Sequence, residues 1–324
     1  MHTKAMSADR SMYTSITEPL QPRDFHDRIY AGQVLRLGGL QPMRELVAFT
    51  RAFLKEAFAP FSPIEIHRYL SHQQQTERFG QLQRDFARSP EVKRLWRDVF
   101  EATGLDADGL ARDSLYLRFQ PHQGPDSIVP RARTTATIAF HRDTWGSNLY
   151  AQTNWWAPIY EIDAGRTFAI YPSLWDRPVA NTSAGFDLAA ILERSKAGGR
   201  NTVDADEAIP HLTEQLEVTD ATPVVIAAGE IIAFSSAHAH AGVPNSTGLT
   251  RISLETRTLW ITDVREGRGA PNVDGYAPWM SPGMFRRVSD EMPLNEILGT
   301  SRLVPFTGPL PPARHTTIDD IADC

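Results

Sequence analysis

A histidine and an aspartate stand two residues apart in the stretch TIAFHRDTWGSN, residues 137 to 148. Side chains two residues apart on a strand share one face and lie roughly 7 Å apart along the backbone. His141 and Asp143 can therefore converge on one metal ion. A chain with ten histidines and 39 acidic residues is expected to contain such a pair by chance, and a strand-end ion pair or a turn is the alternative explanation.

A second group of residues follows in IIAFSSAHAHAGVPNSTGLTRISLETR. Here an apolar strand leads to His238 and His240, and a loop with proline, asparagine and glycine then leads to Arg251. One of these histidines, with His141 and Asp143, completes a set of two histidines and one carboxylate, which leaves adjacent positions open on Fe(II). Strand alternation does not decide between His238 and His240, because side chains two residues apart on a strand point to the same face.

The strand that begins at Arg251 alternates charged or hydroxyl side chains with apolar ones. Arg251 and Ser253 share the face that would point into a barrel, where burial is costly unless an anionic or hydrogen-bonding ligand is present. A dicarboxylate would satisfy both, since a guanidinium can bind a carboxylate through two parallel hydrogen bonds. The alternative is a structural ion pair of Arg251 with Glu255 or Glu230.

Two helices are predicted before residue 110. Apolar residues recur at spacings of three and four over residues 43 to 58, which indicates one buried helix face. In the second helix Ser89 can cap the first turn, Pro90 occupies the first position, and Gly104 follows the last turn.

From residue 114 the sequence changes to short runs of branched and aromatic residues separated by glycine, proline and asparagine. The runs are SLYLRF, TTATIAF, NLYAQTNWWAPIY, RTFAIYP, TPVVIA, EIIAFSS and TRISLETRTLW. This pattern predicts an all-β core with helical additions: a double-stranded β-helix (jelly roll, cupin-like) flanked by N-terminal helices. We expect one domain over residues 1–324. It would comprise an N-terminal helical region (1–110), the core (111–262) with an insertion or lid at about 181–221, and a C-terminal extension (263–324).

The composition limits the classes of function. Hydrophobic residues make up 41% of the chain and charged residues 22%, and the net charge is −6 without any basic block. These values favour a globular protein with a small-molecule substrate, and neither nucleic acid nor membrane as a partner. We expect a cytoplasmic protein, and the sequence leaves open whether it assembles into a homo-oligomer. The single cysteine, Cys324, leaves nitrogen and oxygen as the metal ligands.

Over residues 114 to 260 the sequence resembles the Fe(II)- and 2-oxoglutarate-dependent dioxygenases, specifically the phytanoyl-CoA dioxygenase-like small-molecule oxygenases. The resemblance rests on FHRDTW, on NWWAPI followed by AGRTFAIYPSLW, and on AAGEIIAFSSAHAHAGVPNSTGLTR. It implies that His141, Asp143 and His240 bind the iron, and that Arg251 binds the distal carboxylate of 2-oxoglutarate with help from Ser253.

The implied reaction consumes O2 and 2-oxoglutarate, releases succinate and CO2, and oxidises an unactivated C–H bond of a small molecule. Because Asp143 is present, hydroxylation, desaturation or cyclisation is expected rather than halogenation. Arg118, Trp145 and Trp156 are candidate substrate contacts, although each tryptophan can equally be a core residue and Arg118 a surface residue. Two other classes remain open, a cupin-like metal oxygenase without 2-oxoglutarate and a non-enzymatic jelly-roll binding protein.

Overall fold

A computed structural model describes residues 12–124, 135–198, 206–217 and 219–311. The helices within these ranges are α1 (Pro22–Tyr30), α2 (Gln41–Phe58), α3 (His72–Arg88), α4 (Pro90–Ala102), α5 (Thr144–Ser147), α6 (Leu188–Gly198), α7 (Ile261–Glu266) and α8 (Leu294–Leu298). The strands are β1 (Tyr13–Ile16), β2 (Val34–Leu37), β3 (Leu110–Arg112), β4 (Tyr116–Gln120), β5 (Gln152–Pro158), β6 (Phe168–Ile170), β7 (Thr222–Pro223), β8 (Ile231–Ser235), β9 (His240–Gly242), β10 (Arg251–Trp260), β11 (Trp279–Met280), β12 (Arg286–Arg287) and β13 (Val304–Pro305).

An eight-stranded sheet forms the centre of the molecule, in the order β1-β2-β8-β5-β10-β3-β12 with β4 also paired to β10. Its pairings are antiparallel except for β1 with β2. A second sheet of three strands, in the order β7-β6-β9, packs against one face of the large sheet through Phe168, which contacts Trp156 and Phe234. The fold thus has a β-sheet core with helices added.

The helices α1 to α4 cover the other face of the large sheet. Phe25 of α1 stacks on Trp155 of β5 at 5.4 Å between ring centroids, and Phe79 of α3 stacks on Phe119 of β4 at 4.2 Å. Alternation along β5 therefore sends Trp155 to the helices and Trp156 to the space between the sheets.

The cap signals of the predicted second helix are confirmed. The Ser89 hydroxyl accepts a hydrogen bond from the backbone N–H of Val92, and Pro90 opens the helix. Gly104 adopts φ +96°, and a Cβ atom there would lie 2.1 Å from the Leu20 carbonyl oxygen, so only glycine fits. The first predicted helix corresponds to α2.

Three expectations about the elements need correction. The run TTATIAF was predicted to be a strand, but residues 135 to 140 form none. The strand before His238 ends at Ser235, and a turn precedes β9, so alternation does not continue through the two histidines. The N-terminal region is not purely helical, because β1 and β2 extend the large sheet at one edge, while β12 from the C-terminal extension adds to the other.

Cys324 lies outside the described residues. Within the described ranges no helix combines the length and apolar character that crossing a bilayer requires.

Candidate metal centre

His141 and Asp143 lie beside the small sheet, at the point where the chain leaves an extended segment and enters α5. His141 forms an isolated antiparallel bridge with His240, the first residue of β9. Asp143 has helical backbone angles, φ −62° and ψ −30°, and immediately precedes α5. The two residues are therefore not on one continuous strand, and the bend at Asp143 brings its carboxylate back towards His141.

The side chains of His141, Asp143 and His240 form one cluster, in which a ligand atom from each lies within 4.8 Å of the others. The Nε2 atom of His141 is 3.9 Å from Oδ1 of Asp143, and the Nε2 atom of His240 is 3.9 Å from Oδ2. With metal–ligand bonds of roughly 2.0–2.2 Å, two atoms bound to the same ion can be up to about 4.4 Å apart. The three side chains could therefore hold one metal ion.

The backbone fixes which ring nitrogen of each histidine is free. The Nδ1 atom of His141 lies 2.9 Å from the Ala139 carbonyl oxygen, and that of His240 lies 2.9 Å from the His238 carbonyl oxygen. A carbonyl oxygen only accepts, so in the neutral form of each ring Nδ1 carries the hydrogen and Nε2 keeps its lone pair. Both lone pairs are thus available on the side of Asp143, as metal-binding histidines require.

Both oxygens of Asp143 also accept hydrogen bonds from protein side chains. Arg257 donates to Oδ1 at 3.0 Å, and Asn154 donates to Oδ2 at 2.6 Å. Burial alone would raise the pKa of Asp143, but Arg257 and then the two histidines lower it well below its ordinary value. The carboxylate is therefore ionised and held in place before any ligand binds.

Arg257 links Asp143 to a second carboxylate. Its Nη1 donates to Asp113 Oδ2 at 3.1 Å, while the backbone N–H of Arg257 donates to Asp113 Oδ1 at 2.9 Å. Burial lowers the pKa of Arg257, but the two carboxylates outweigh burial and raise it well above its ordinary value.

Burial, with His240 close by, lowers the pKa of His141 to about 3, so this ring is neutral at physiological pH.

Arg142, between the two ligand candidates, anchors the loop that carries them. Its side chain is fully buried, pairs with Asp274 at 3.1 Å, and donates to the backbone carbonyls of Ala237, Leu174 and Arg177. One guanidinium thus ties the loop containing His141 and Asp143 to the turn that leads into β9.

Replacing Arg142 with glutamine should destabilise the protein by about 3–5 kcal/mol, because Asp274 would remain buried without its cation. Urea unfolding measures this change. Arg194→Gln is the control: its pair with Glu207 leaves both side chains 53% exposed, so its loss should cost at most about 1 kcal/mol. Equal costs for the two variants would contradict the anchoring role of Arg142.

His238 lies in a different environment from His240. Its ring contacts Trp175 at 4.5 Å between centroids, and its Nε2 donates to the Gly32 carbonyl at 3.1 Å. With Nε2 protonated, the buried Nδ1 has no hydrogen-bond partner among the described residues. The side chain of His238 therefore packs away from Asp143, whereas its backbone carbonyl orients His240.

A cavity of about 110 Å³, here called the arginine cavity, lies between the two sheets next to the metal-binding cluster. Its lining includes Trp156, Phe168, Phe234, Arg251 and Glu255. The Nε and Nη1 atoms of Arg251 are buried and have no partner among the residues that the structure describes. Burial lowers the pKa of Arg251 to about 10, which leaves the guanidinium charged near neutral pH.

Three of the four remaining candidate residues lie at or beside the arginine cavity, and the fourth, Trp145, does not. Ser253 is buried, and its hydroxyl donates a hydrogen bond to the Glu255 carboxylate at 3.1 Å. The same carboxylate forms an ion pair with Arg118 at 3.1 Å. Arg118 and Trp156 line the arginine cavity, and their contact with substrate stays a prediction. Trp145 does not line either of the cavities beside Asp143: its ring is buried and its Nε1 donates to Asp274 at 2.7 Å.

A second cavity of about 160 Å³ lies on the other side of Asp143 and Arg257. We call it the insertion cavity, because part of its wall comes from residues 186–192 and 208–210. Ile209 borders both cavities. The weakly patterned segment at about 181–221 thus contributes side chains next to the metal-binding cluster.

Sequence reasoning missed four residues of the site, namely Asp113, Asn154, Arg257 and Ile209. Arg257 lies six residues after Arg251 on the same strand, so both side chains point to the same face of the sheet. This alternation was the one signal in the sequence that could have placed Arg257 in the site. The partners of Asp113 and Asn154 are distant in sequence and leave no local pattern.

A scan against protein-family models finds no match, and a search of curated proteins finds no relative. Among solved structures, EctD from S. alaskensis in its apoform is 13% identical, with a TM-score of 0.44 and coverage of 88% of this chain and 91% of that chain. EvdO2 from Micromonospora carbonacea var. aurantiaca complexed with 2-oxoglutarate is 14% identical, with a TM-score of 0.42 and coverage of 76% and 94%. The epimerase SnoN in complex with Fe3+, alpha ketoglutarate and nogalamycin RO is 14% identical, with a TM-score of 0.36 and coverage of 74% and 85%. At such identities and TM-scores these likenesses establish neither the fold nor the activity of this chain.

Proposed function

We propose that this protein is an Fe(II)- and 2-oxoglutarate-dependent oxygenase with a double-stranded β-helix core. It would oxidise an unactivated C–H bond of a small molecule by hydroxylation, desaturation or cyclisation. The observation that carries the proposal is the position of the Arg251 guanidinium, whose Nε and Nη1 atoms are buried without partners among the described residues, in the same cavity as His141, Asp143 and His240.

The donor set suits Fe(II). Two imidazole nitrogens and one carboxylate oxygen leave further coordination positions for ligands other than protein, as in non-haem iron oxygenases. The cluster contains no thiolate, which makes a structural zinc site of the cysteine type inapplicable. His141, Asp143 and His240 would therefore hold the iron.

The arginine cavity suits 2-oxoglutarate. A charged guanidinium whose buried N–H groups lack partners is costly, and a carboxylate that accepts from them removes that cost. Arg118 and Glu255 neutralise each other, so Arg251 supplies the excess positive charge among these three residues. Ser253 lies between Arg251 and Glu255 on β10, where it holds Glu255 by its hydroxyl.

When bound, iron and 2-oxoglutarate supply the O2-dependent oxidation, coupled to the formation of succinate and CO2. The protein contributes position and environment. The carbonyls of Ala139 and His238 hold both imidazoles with Nε2 available, and Arg257 and Asn154 hold the Asp143 carboxylate. The aromatic side chains of the arginine cavity surround the space between Arg251 and the cluster and would limit the access of water to it.

Anaerobic titration of the protein with Fe(II) and then with 2-oxoglutarate tests this function. We expect a visible charge-transfer band that saturates with one equivalent of each, and succinate formation once O2 is admitted. Iron binding without the band would favour a metal oxygenase that does not use 2-oxoglutarate. Failure to bind iron would leave a non-enzymatic binding protein.

We also predict that the described parts of the insertion at about 181–221 become more protected from exchange when the site is filled, since Ile209 and Phe186 border the cavities. Hydrogen exchange of residues 183–198 and 206–217 should slow when Fe(II) and 2-oxoglutarate are added under anaerobic conditions. Exchange in α3, which lies on the far face of the sheet, serves as the control. Unchanged exchange throughout the insertion would contradict its role as a lid.

A further inference from the structure

The insertion cavity reaches the metal-binding cluster, but Arg251 is not part of its wall. It borders His141, Asp143 and Arg257, and so does the arginine cavity. If 2-oxoglutarate occupies the arginine cavity, the insertion cavity is a second space next to the cluster, formed by the described residues. The chemistry of its wall therefore indicates what kind of molecule is oxidised.

The wall of the insertion cavity is apolar on the side of the insertion and of the C-terminal region. These apolar side chains are Phe186, Leu188, Ile191, Ile209, Met284 and Phe285. At about 160 Å³ the cavity matches the volume of roughly 150 Å³ that accommodates a benzene molecule in an engineered apolar cavity. One ring-sized apolar group fits.

The charged groups that line the insertion cavity are held in ion pairs. Arg142 is paired with Asp274, while Asp113 and Asp143 share Arg257, which leaves one excess negative charge beside the cluster. In the free protein Arg251, which lines the neighbouring arginine cavity, brings the formal charge summed over the two cavities, with Asp274 included, to zero. In the loaded protein the two positive charges of iron and the two negative charges of 2-oxoglutarate cancel each other. A charged substrate would therefore lose its hydration without gaining a counter-charge.

One polar group on the wall lacks a partner. Ser281 is 1% exposed, and its buried hydroxyl has no hydrogen-bond partner among the described residues. By contrast, the hydroxyl of Ser147 on the same wall donates to the Asp143 carbonyl. A buried hydroxyl is normally satisfied, so Ser281 is the position at which a ligand would form a hydrogen bond.

Building on the proposed oxygenase function, we infer that the substrate is an uncharged molecule that places a ring-sized apolar group in the insertion cavity and forms one hydrogen bond with Ser281. This assignment names the class of substrate that the cavity selects.

Fluorine NMR titrations with four probes of similar size test this inference: 4-fluorotoluene, 4-fluorobenzyl alcohol, 4-fluorobenzoate and 4-fluorobenzylammonium. They are run on the free protein and on protein loaded with Zn(II) and 2-oxoglutarate. The alcohol should bind about 3- to 10-fold more tightly than 4-fluorotoluene, which is the range expected for one net hydrogen bond. The two ions should bind at least about 10-fold more weakly than the alcohol.

Three variants locate the binding. Ser281→Ala should abolish the preference for the alcohol, whereas Ser147→Ala, which removes a hydroxyl that is already bonded, should retain it. Ile191→Trp should weaken all the probes by filling the cavity. Tight binding of either ion, a preference that survives Ser281→Ala, or no binding at all would overturn the inference.

The anaerobic titration with Fe(II) and 2-oxoglutarate, run beside these probe titrations, separates this inference from the proposed function. If iron and 2-oxoglutarate fail to bind but the alcohol still depends on Ser281, the oxygenase function is wrong and the cavity assignment stands. If both bind but the probes behave otherwise, only the assignment of the substrate class is overturned.

Discussion

Replacing Arg251 with methionine is expected to raise the KM for 2-oxoglutarate about 100-fold. Removing one partner of a buried, hydrogen-bonded charge pair costs about 2–5 kcal/mol, and each 1.4 kcal/mol corresponds to about tenfold in affinity. Metal affinity should change little, because Arg251 forms no ion pair with Asp143, whose cation is Arg257. Steady-state succinate formation and a Co(II) titration measure the two effects separately.

The control variant must replace an arginine whose ion pair lies away from the metal-binding cluster. Arg257 shares the inward parity of Arg251 but pairs with Asp143, so its replacement would disturb the metal cluster as well. Arg36→Met is the better control, since Arg36 pairs with Glu230 at 2.7 Å and 36% of its side chain is exposed. A similar rise in KM for Arg36→Met would contradict the assignment of Arg251.

Stability provides an independent readout for the same variant. In the free protein the Nε and Nη1 atoms of Arg251 are buried without partners among the described residues, so the guanidinium is a cost to folding. Arg251→Met should therefore keep or increase the free energy of unfolding without 2-oxoglutarate, and it should lose most of the stabilisation that 2-oxoglutarate gives the wild type. A destabilised variant that still responds to 2-oxoglutarate would indicate a structural role instead.

Local signals in the sequence were sufficient for some elements. The proline and serine at the start of α4 and the glycine after it act through their own backbone, so the helix could be predicted without tertiary contacts. The inward direction of Arg251 likewise follows from the period of two along β10.

Other features depend on contacts between distant parts of the chain and could not be predicted. The one-turn helix α5 bends the chain at Asp143, so the reason given for pairing it with His141, a shared strand face, was wrong although the two side chains do meet. Trp145 was a candidate substrate contact, but the buried carboxylate of Asp274, far along the chain, accepts from its indole N–H. Periodicity cannot identify such a partner.

The two histidines illustrate the same limit. The alternation of side chains along a strand could not decide between His238 and His240, because residues two apart face the same side. The turn after Ser235 shows that this alternation did not extend to the two histidines. What separates their side chains is their surroundings: His238 contacts Trp175 and Gly32, whereas His240 faces Asp143.

The structure therefore predicts opposite results for two neighbouring substitutions. His240→Ala removes a nitrogen from the cluster and should lower metal affinity by more than the roughly 10- to 100-fold that loss of an outer-shell partner costs. His238→Ala should keep the metal, because the bond that orients His240 comes from the His238 backbone carbonyl, which the substitution retains. Its cost should be to stability, about 1–3 kcal/mol, through the lost hydrogen bond to Gly32 and the lost contact with Trp175.

Bound iron after anaerobic reconstitution and desalting, with urea unfolding of the same samples, distinguishes the two variants. His240→Ala should contain almost no iron yet unfold close to the wild type, since its side chain faces the cluster rather than the core. His238→Ala should contain iron at the wild-type level and unfold earlier. The opposite outcome, iron retained by His240→Ala and lost by His238→Ala, would mean that the ring of His238 turns towards Asp143 when metal binds and supplies the third ligand.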